Sequence, residues 1–326
     1  ASLVASVARR AEKHQLSVLA WRVAVDQAEQ GEVEEASGLV AALGHQLLDA
    51  GEVTEAEQVL SGLVTRERLN GNHHVLAHAL IDLANAVSRQ QRYRDAVTHW
   101  RDAIDAFIKV DRVREAARTS LAAGMKLAET EQADMYAEAE DLLRQAVEMA
   151  KASEDPVVET QGLRELAKLL CDQTKPEGLK LYDQAITLAN NDDVRYVAAD
   201  LTRLKARAYA KFGKTNKAVA TALTAADMFE DEAELAMGHC CELLAGKFLV
   251  EKHKWVEAMT LFSTIADADG IKPPLRKAAL LGLATALRGQ GDEVEAKRVN
   301  LQAERIQIDT PLDPEYEFIT QTFFDD

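Results

Sequence analysis

Small and large apolar side chains recur along most of this chain at helical spacing rather than in the two-residue alternation of a strand. Three phrases carry the pattern most clearly: GEVTEAEQVL ending at Leu60, QRYRDAVTHW ending at Trp100 and HKWVEAMTLF ending at Phe262. MYAEAEDLLRQA, PEGLKLYDQA, GKTNKAVATA and GDEVEAKRVN are weaker copies. Their shared small residue falls at Ala56, Ala96, Ala139, Gly178, Ala218, Ala258 and Ala296, an interval of about 40 residues, within the range of solenoid units.

The positions around each anchor agree. Four residues later stand Leu60, Trp100, Leu143, Tyr182 and Phe262, and seven later Leu63, Ala103, Ala146, Ala185 and Ile265. That spacing puts each set on one helical face. Nine residues before the anchor come Leu47, Val87, Tyr209, Leu249 and Leu287, and twelve before come Gly44, Ala84, Ala206, Gly246 and Ala284. Small residues there admit a neighbouring helix closely, and the large ones fill the space. Between the two faces lies a break such as Asp49-Ala-Gly, Gly213-Lys or Gly289-Gln-Gly, the composition of a helix end. Each unit reads as a helical hairpin, and the chain as all-α.

The organisation expected is a helical cap over 1–30, seven hairpins over 31–309 and a tail over 310–326. Val4 to Glu29 reads as the helical part of the cap. GEVEEA at Gly31–Ala36 echoes GEVTEA only about 20 residues on, so consecutive helices there share one turn signal. The Ala139 copy carries an insertion and the Gly178 copy a deletion, and Pro273-Pro274 opens the last hairpin.

A small residue, a larger one, a turn, then small and large residues at helical spacing together resemble the tetratricopeptide repeat (TPR). Phe212-Gly213-Lys214 and the run Trp255-x-x-Ala258-x-x-x-Phe262 are especially similar to it. The likeness covers about Gly31 to Asp309, in helices about one turn longer than those of the usual 34-residue unit. It implies an α-solenoid wound as a right-handed superhelix, with the first helix of each hairpin lining a concave groove that takes a protein or peptide. Carrying the family's groove positions over gives Asn85 and Arg89, Arg118, Arg164 and Lys168, then Arg203, Arg207 and Lys211, and Lys247. Ile81 stands where the Lys of a carboxylate clamp would precede Asn85, so a chaperone-type clamp is not implied. Longer-helix repeats of this kind also occur in peptide-sensing regulators, so a signal-peptide sensor within a larger regulator is the alternative reading.

Charge changes the picture next. The net charge is −16, the wrong sign for a nucleic-acid module or for anionic lipid. Arg203, Arg207 and Lys211 nevertheless repeat every four residues. Like charges at that spacing cost a few tenths of a kcal/mol per pair unless acids or an anionic guest offset them. The functional expectation is a scaffold or adaptor that holds an extended acidic segment. The competing expectation is that Asp172, Asp200 and other acids of adjacent helices neutralise these cations.

Catalytic and cofactor chemistry find little support. There is no glycine-rich phosphate loop after a strand, no Gly-x-Ser-x-Gly and no Cys-His arrangement. His73, His74 and His78 include a pair one helical turn apart, but Val75 stands where HExxH needs Glu, so no metal is expected. Cys171, Cys240 and Cys241 form neither a disulfide framework nor a zinc spacing; buried thiols in a reducing, cytoplasmic setting are expected. The residues Ala1–Ala5 lack the charged start of a signal peptide, and no apolar run reaches the length of a membrane span. The tail combines Tyr316, Phe318, Phe323 and Phe324 with Asp325 and Asp326. It reads either as a cap on the last hairpin or as a guest for its own or a neighbouring copy's groove, the latter a route to self-association.

Overall fold

The structure is a computed structural model, described for residues 14–30, 36–130, 132–191 and 194–308. The tail expected over 310–326 and the first part of the expected cap lie outside the described residues. Contacts divide the chain into two compact units, 1–165 and 166–326. The first unit holds α1 (His14–Gln30), α2 (Ala36–Asp49), α3 (Val53–Asn70), α4 (His73–Arg89), α5 (Tyr93–Lys109), α6 (Val113–Ala128) and α7 (Tyr136–Ala152). The second holds α9 (Glu177–Asn191), α10 (Arg195–Lys211), α11 (Thr215–Asp231), α12 (Leu235–Glu251), α13 (Trp255–Asp267), α14 (Pro273–Gln290) and α15 (Glu293–Glu304). Between these, α8 (Pro156–Asp172) gives its start to the first unit and its end to the second.

The seven anchors sit in α3, α5, α7, α9, α11, α13 and α15, each the second helix of a hairpin. Ala56, Leu60 and Leu63 of α3 are buried, as are Ala258, Phe262 and Ile265 of α13. The small positions on the first helices meet the large ones on the second. A Cβ on Gly44 would lie 2.5 Å from the Leu60 side chain, and one on Gly246 would lie 2.5 Å from the Phe262 ring. Carbon pairs prefer about 3.5–4.0 Å, so only glycine permits these approaches. The same edge of the Phe262 ring also packs on α14, since a Cβ on Gly282 would meet it at 2.6 Å.

Most turns between the described helices close in one manner. A residue one or two positions past the helix adopts a left-handed conformation and lets the exposed carbonyls of the last turn accept hydrogen bonds. In the first hairpin Gly51 has φ 82°, the Gly51 N–H donates to Leu48 and the Glu52 N–H to Leu47. Gln91, Asp111, Glu154, Thr174, Ala233 and His253 do the same without being glycine. That is why turns such as the one at Gln91 carry no glycine signal in the sequence. A single 3₁₀ turn, Ala133–Met135, accommodates the insertion before α7.

In the first unit, ion pairs tie like helix to like helix. His45 of α2 meets Asp82 of α4 at 3.3 Å. Among the second helices, Arg68 of α3 pairs with Asp102 of α5, and Arg101 of α5 meets Glu138 and Asp141 of α7 at 2.8 and 2.7 Å. The first described helix joins that second row, because Arg22 of α1 reaches Glu55 of α3 at 2.6 Å. No helix among the described residues is long and apolar enough to cross a membrane.

Candidate functional site

In the second unit, the end of α8, the start of α9 and the face of α10 enclose a recess of about 160 Å³. Lys168, Cys171 and Asp172 of α8, Tyr182 of α9, and Leu204, Arg207, Ala208 and Lys211 of α10 line it. Three of the nine expected groove residues converge there: Lys168, Arg207 and Lys211. Their convergence follows from helix geometry, because Leu204, Arg207, Ala208 and Lys211 succeed one another at three- and four-residue intervals on α10.

The charges in the recess are unequal. The Lys211 ammonium donates to Asp172 across from α10 to α8. Lys168 is exposed and meets no carboxylate among the described residues. Arg207 is exposed, with part of its side chain against the protein that lines the recess and losing some hydration there. That loss, and then the like charge of Arg203, holds its pKa below the usual arginine value, against the pull of Tyr182 and Asp172. The guanidinium still carries its proton at neutral pH.

Arg203 corrects the expected ridge. It is only 7% exposed and is tied to Asp200, with Nε and Nη2 donating to one carboxylate oxygen at 3.0 and 2.5 Å. Four-residue spacing drifts around a helix of 3.6 residues per turn. The first member of the series has therefore turned towards the core, and the ridge has two members on the surface.

The other candidates are dispersed. Arg89 of α4 donates to the Leu48 carbonyl at the end of α2, closing that helix rather than reaching outward. Asn85, one turn earlier, is half-buried. Arg118 of α6 meets Asp155 at 3.1 Å, Arg164 lies 3.6 Å from Glu165, and Lys247 lies 4.0 Å from Glu251. Arg118, Arg164, Arg203, Lys211 and Lys247 thus each have a carboxylate beside them, which for Arg164, Arg203 and Lys247 lies on their own helix.

Nucleophile and metal chemistry gain nothing from the geometry. Burial pushes the Cys171 thiol up to about 11 and Cys240 up to about 12, and raises Cys241 as well. All three are free thiols and stay protonated at neutral pH, the unreactive form. The rings of His74 and His78 lie 4.9 Å apart, edge to face, and His78 packs likewise against Phe107. Burial, followed by the charge of His74, lowers the pKa of His78. No group of three metal-ligating side chains exists among the described residues.

Sequence reasoning passed over a second cationic feature. From 201 to 226 the chain carries Arg203, Lys205, Arg207, Lys211, Lys214 and Lys217 and no acid, within a protein of net charge −16. Reading only groove positions left Lys214 and Lys217 out, because they fall in and after a turn. The absence of acids over so long a stretch was the available signal.

No family model matches the chain, and no curated protein matches it. Among solved structures, BtubC (BKLC) from P. vanneervenii is similar over 70% of this chain and 96% of its own, at 16% identity and a TM-score of 0.51. RapI in its apo form is similar over 92% of this chain and 97% of its own, at 13% identity and a TM-score of 0.51. A tetratricopeptide repeat protein from Parabacteroides merdae aligns over 92% of this chain and 96% of its own, at 13% identity and a TM-score of 0.47. At such identities the likeness is one of fold. With the hairpin packing described above, the likeness to BtubC and RapI gives the chain an all-α repeat fold of the tetratricopeptide type.

Proposed function

We propose that this protein is a binding scaffold that holds an acidic segment of another protein or peptide, and that the recess between α8, α9 and α10 is its anchor point. The observation that carries this reading is Arg207. Its guanidinium is exposed and lines the recess together with Lys168 and Lys211, so an incoming carboxylate meets three cations brought together on one short stretch of surface. Arginine suits that role because its planar fork donates two bonds to one carboxylate. Lys168 and Lys211 flank it, while Leu204, Ala208 and Tyr182 supply apolar wall. A volume of about 160 Å³ is below the range of pockets for free small ligands, about 300–1,000 Å³. It matches one side chain of an extended guest better than a metabolite.

The competing ion pairs do not close the recess. Lys211 and Asp172 keep 57% and 45% of their side-chain surfaces exposed, and exposed pairs are worth about 0–1 kcal/mol. A guest that draws Lys211 away therefore loses little. Arg203 and Lys247 add less to the anchor, since each has its carboxylate close by. Asn85, Arg89, Arg118 and Arg164 belong to the other unit and are not part of it. Binding rather than turnover is the role, in keeping with three thiols held protonated.

The probe is a labelled peptide of residues 313–326, DPEYEFITQTFFDD, which carries both negative charge and aromatic anchors. Fluorescence anisotropy against the full chain is expected to show saturable binding. Lys168→Glu with Arg207→Glu should weaken it more than about tenfold per reversed charge at low salt, with the far-UV spectrum unchanged. The same variant, used as control in affinity capture from the native extract, should lose the partner. Equal binding by the native chain and the variant would remove the recess from consideration.

A further inference from the structure

A second recess opens at the turn edge of two successive hairpins in the second unit. It is a shallow, open depression of about 560 Å³, lined by Gly213, Lys214, Thr215, Asn216 and Lys217 of one turn and by Lys252 and Lys254 of the next. Four lysines face this space and no Asp or Glu lines it. Lys254 has a neighbour in Glu257 at 3.1 Å, on its own helix. Lys214 and Lys217 lie over aromatic rings, 5.8 Å from the centres of Phe212 and Tyr209. Lys252 is exposed and, among the described residues, meets no carboxylate. The rings fix two ammonium groups in place without neutralising them.

The backbone adds to this field. Lys214 and Lys254 are the residues from which α11 and α13 begin, and neither helix start is closed by a side-chain cap. The first turn of α11 holds no acid. Unpaired N–H groups and the positive end of the helix thus point where the lysines already gather. Lysines placed against a positive helix end are disfavoured on electrostatic grounds. In a chain with 54 acidic residues, leaving three of these four lysines without a carboxylate while only Lys254 has one, Glu257, marks the cluster as a place for an anion.

We propose that this recess is a phosphate-binding site, which accepts a phosphate ester or polyphosphate group carrying at least two negative charges. Phosphate is favoured over a lone carboxylate for two reasons. Ammonium groups act as point charges around a tetrahedral anion, whereas the planar fork that suits a carboxylate is missing from this lining. Backbone N–H groups at a helix start complement phosphate oxygens. Nothing here depends on the scaffold reading, since the two sites share no residue.

Pyrophosphate is the first probe, titrated into the full chain and followed by calorimetry and by backbone amide shifts. Saturable one-to-one binding is expected, with shifts concentrated at 213–217 and 252–254. Lys252→Gln and Lys214→Gln should each weaken it about tenfold, the size of one charge-assisted hydrogen bond, while Lys109→Gln at the end of α5 should leave it unchanged. Absent saturation, or equal loss in Lys109→Gln, overturns the site. A phosphoserine peptide and its unphosphorylated twin identify the source. Competition by the phosphopeptide alone points to a phosphorylated protein, and competition by neither peptide, with pyrophosphate still bound, to a free phosphate compound. Equal binding by the unphosphorylated twin overturns phosphate recognition. Lys252→Gln should meanwhile leave capture of the 313–326 peptide intact, so failure here is distinguishable from failure of the Arg207 anchor.

Discussion

Replacing Gly246 by alanine tests whether small-against-large packing holds the hairpins together. The added Cβ would stand 2.5 Å from the Phe262 ring, which is itself 0% exposed and packs as closely on Gly282. Ordinary contact needs about 1 Å more. A fully buried ring pressed against two helices has little room to yield, so the cost falls near the top of the overpacking range, about 3 kcal/mol. Better helix propensity of alanine returns about 1 kcal/mol. The net expectation is a loss of about 2 kcal/mol. Gly62→Ala in α3 is the control, because nothing lies within 4 Å of the Cβ it would add; there propensity acts alone, and a gain of about 0.5–1 kcal/mol is expected. Phe262→Leu removes the ring atoms that clash, so the double variant should be more stable than the two single effects predict by about 1–2 kcal/mol. Urea unfolding followed by circular dichroism measures the set. Repeat arrays need not unfold in one step, and hydrogen exchange in α12–α14 localises the loss. Additive effects, or a Gly246→Ala protein as stable as Gly62→Ala, would refute the reasoning.

Two further expectations follow from buried charge and from histidine environment. Asp200→Ala should cost about 3 kcal/mol, because the Arg203 side chain is 8% exposed and loses the carboxylate it donates to; Asp200→Leu combined with Arg203→Met should recover much of the loss, as replacing both members of a buried pair often does. Urea midpoints decide it, and an Asp200→Ala protein of native stability would count against the pair. His239 has its pKa raised, first by its hydrogen bond to Glu242, so its contribution to stability is fully present below pH 6.5 and is lost as pH rises through the folded value. His78 and His99 are lowered, first by burial, so theirs is present above pH 6.5 and is lost as pH falls through their folded values. Proton NMR should show His239 titrating above, and the other two below, an unperturbed histidine, with His239→Gln abolishing the alkaline-side loss.

The all-α class and the hairpin registers were determined by the chain alone. The reason is that each repeat contact joins residues near in sequence: a small position such as Gly44 meets Leu60 within one hairpin, and recurrence of the pattern averages out its imperfect copies. Turns with glycine at the left-handed position were equally legible, at Gly51, Gly213 and Gly291. Turns at Gln91, Thr174 and His253 were not, because hydrogen bonds and packing on either side override the preference of the residue itself.

The site divides along the same line. Sequence placed Arg207, Lys211 and Lys168 as candidates, but only tertiary structure decided that they share a recess while Arg203 turns inward to Asp200. It also decided that Arg89 closes the end of a neighbouring helix, and that Lys214 and Lys252, distant in the chain, face one cavity. Helical periodicity is set by short-range geometry, and so it can be read from spacing. Which cation keeps its charge open to a guest depends on the carboxylates and carbonyls that other helices bring alongside it, and those neighbours exist only once the chain has folded.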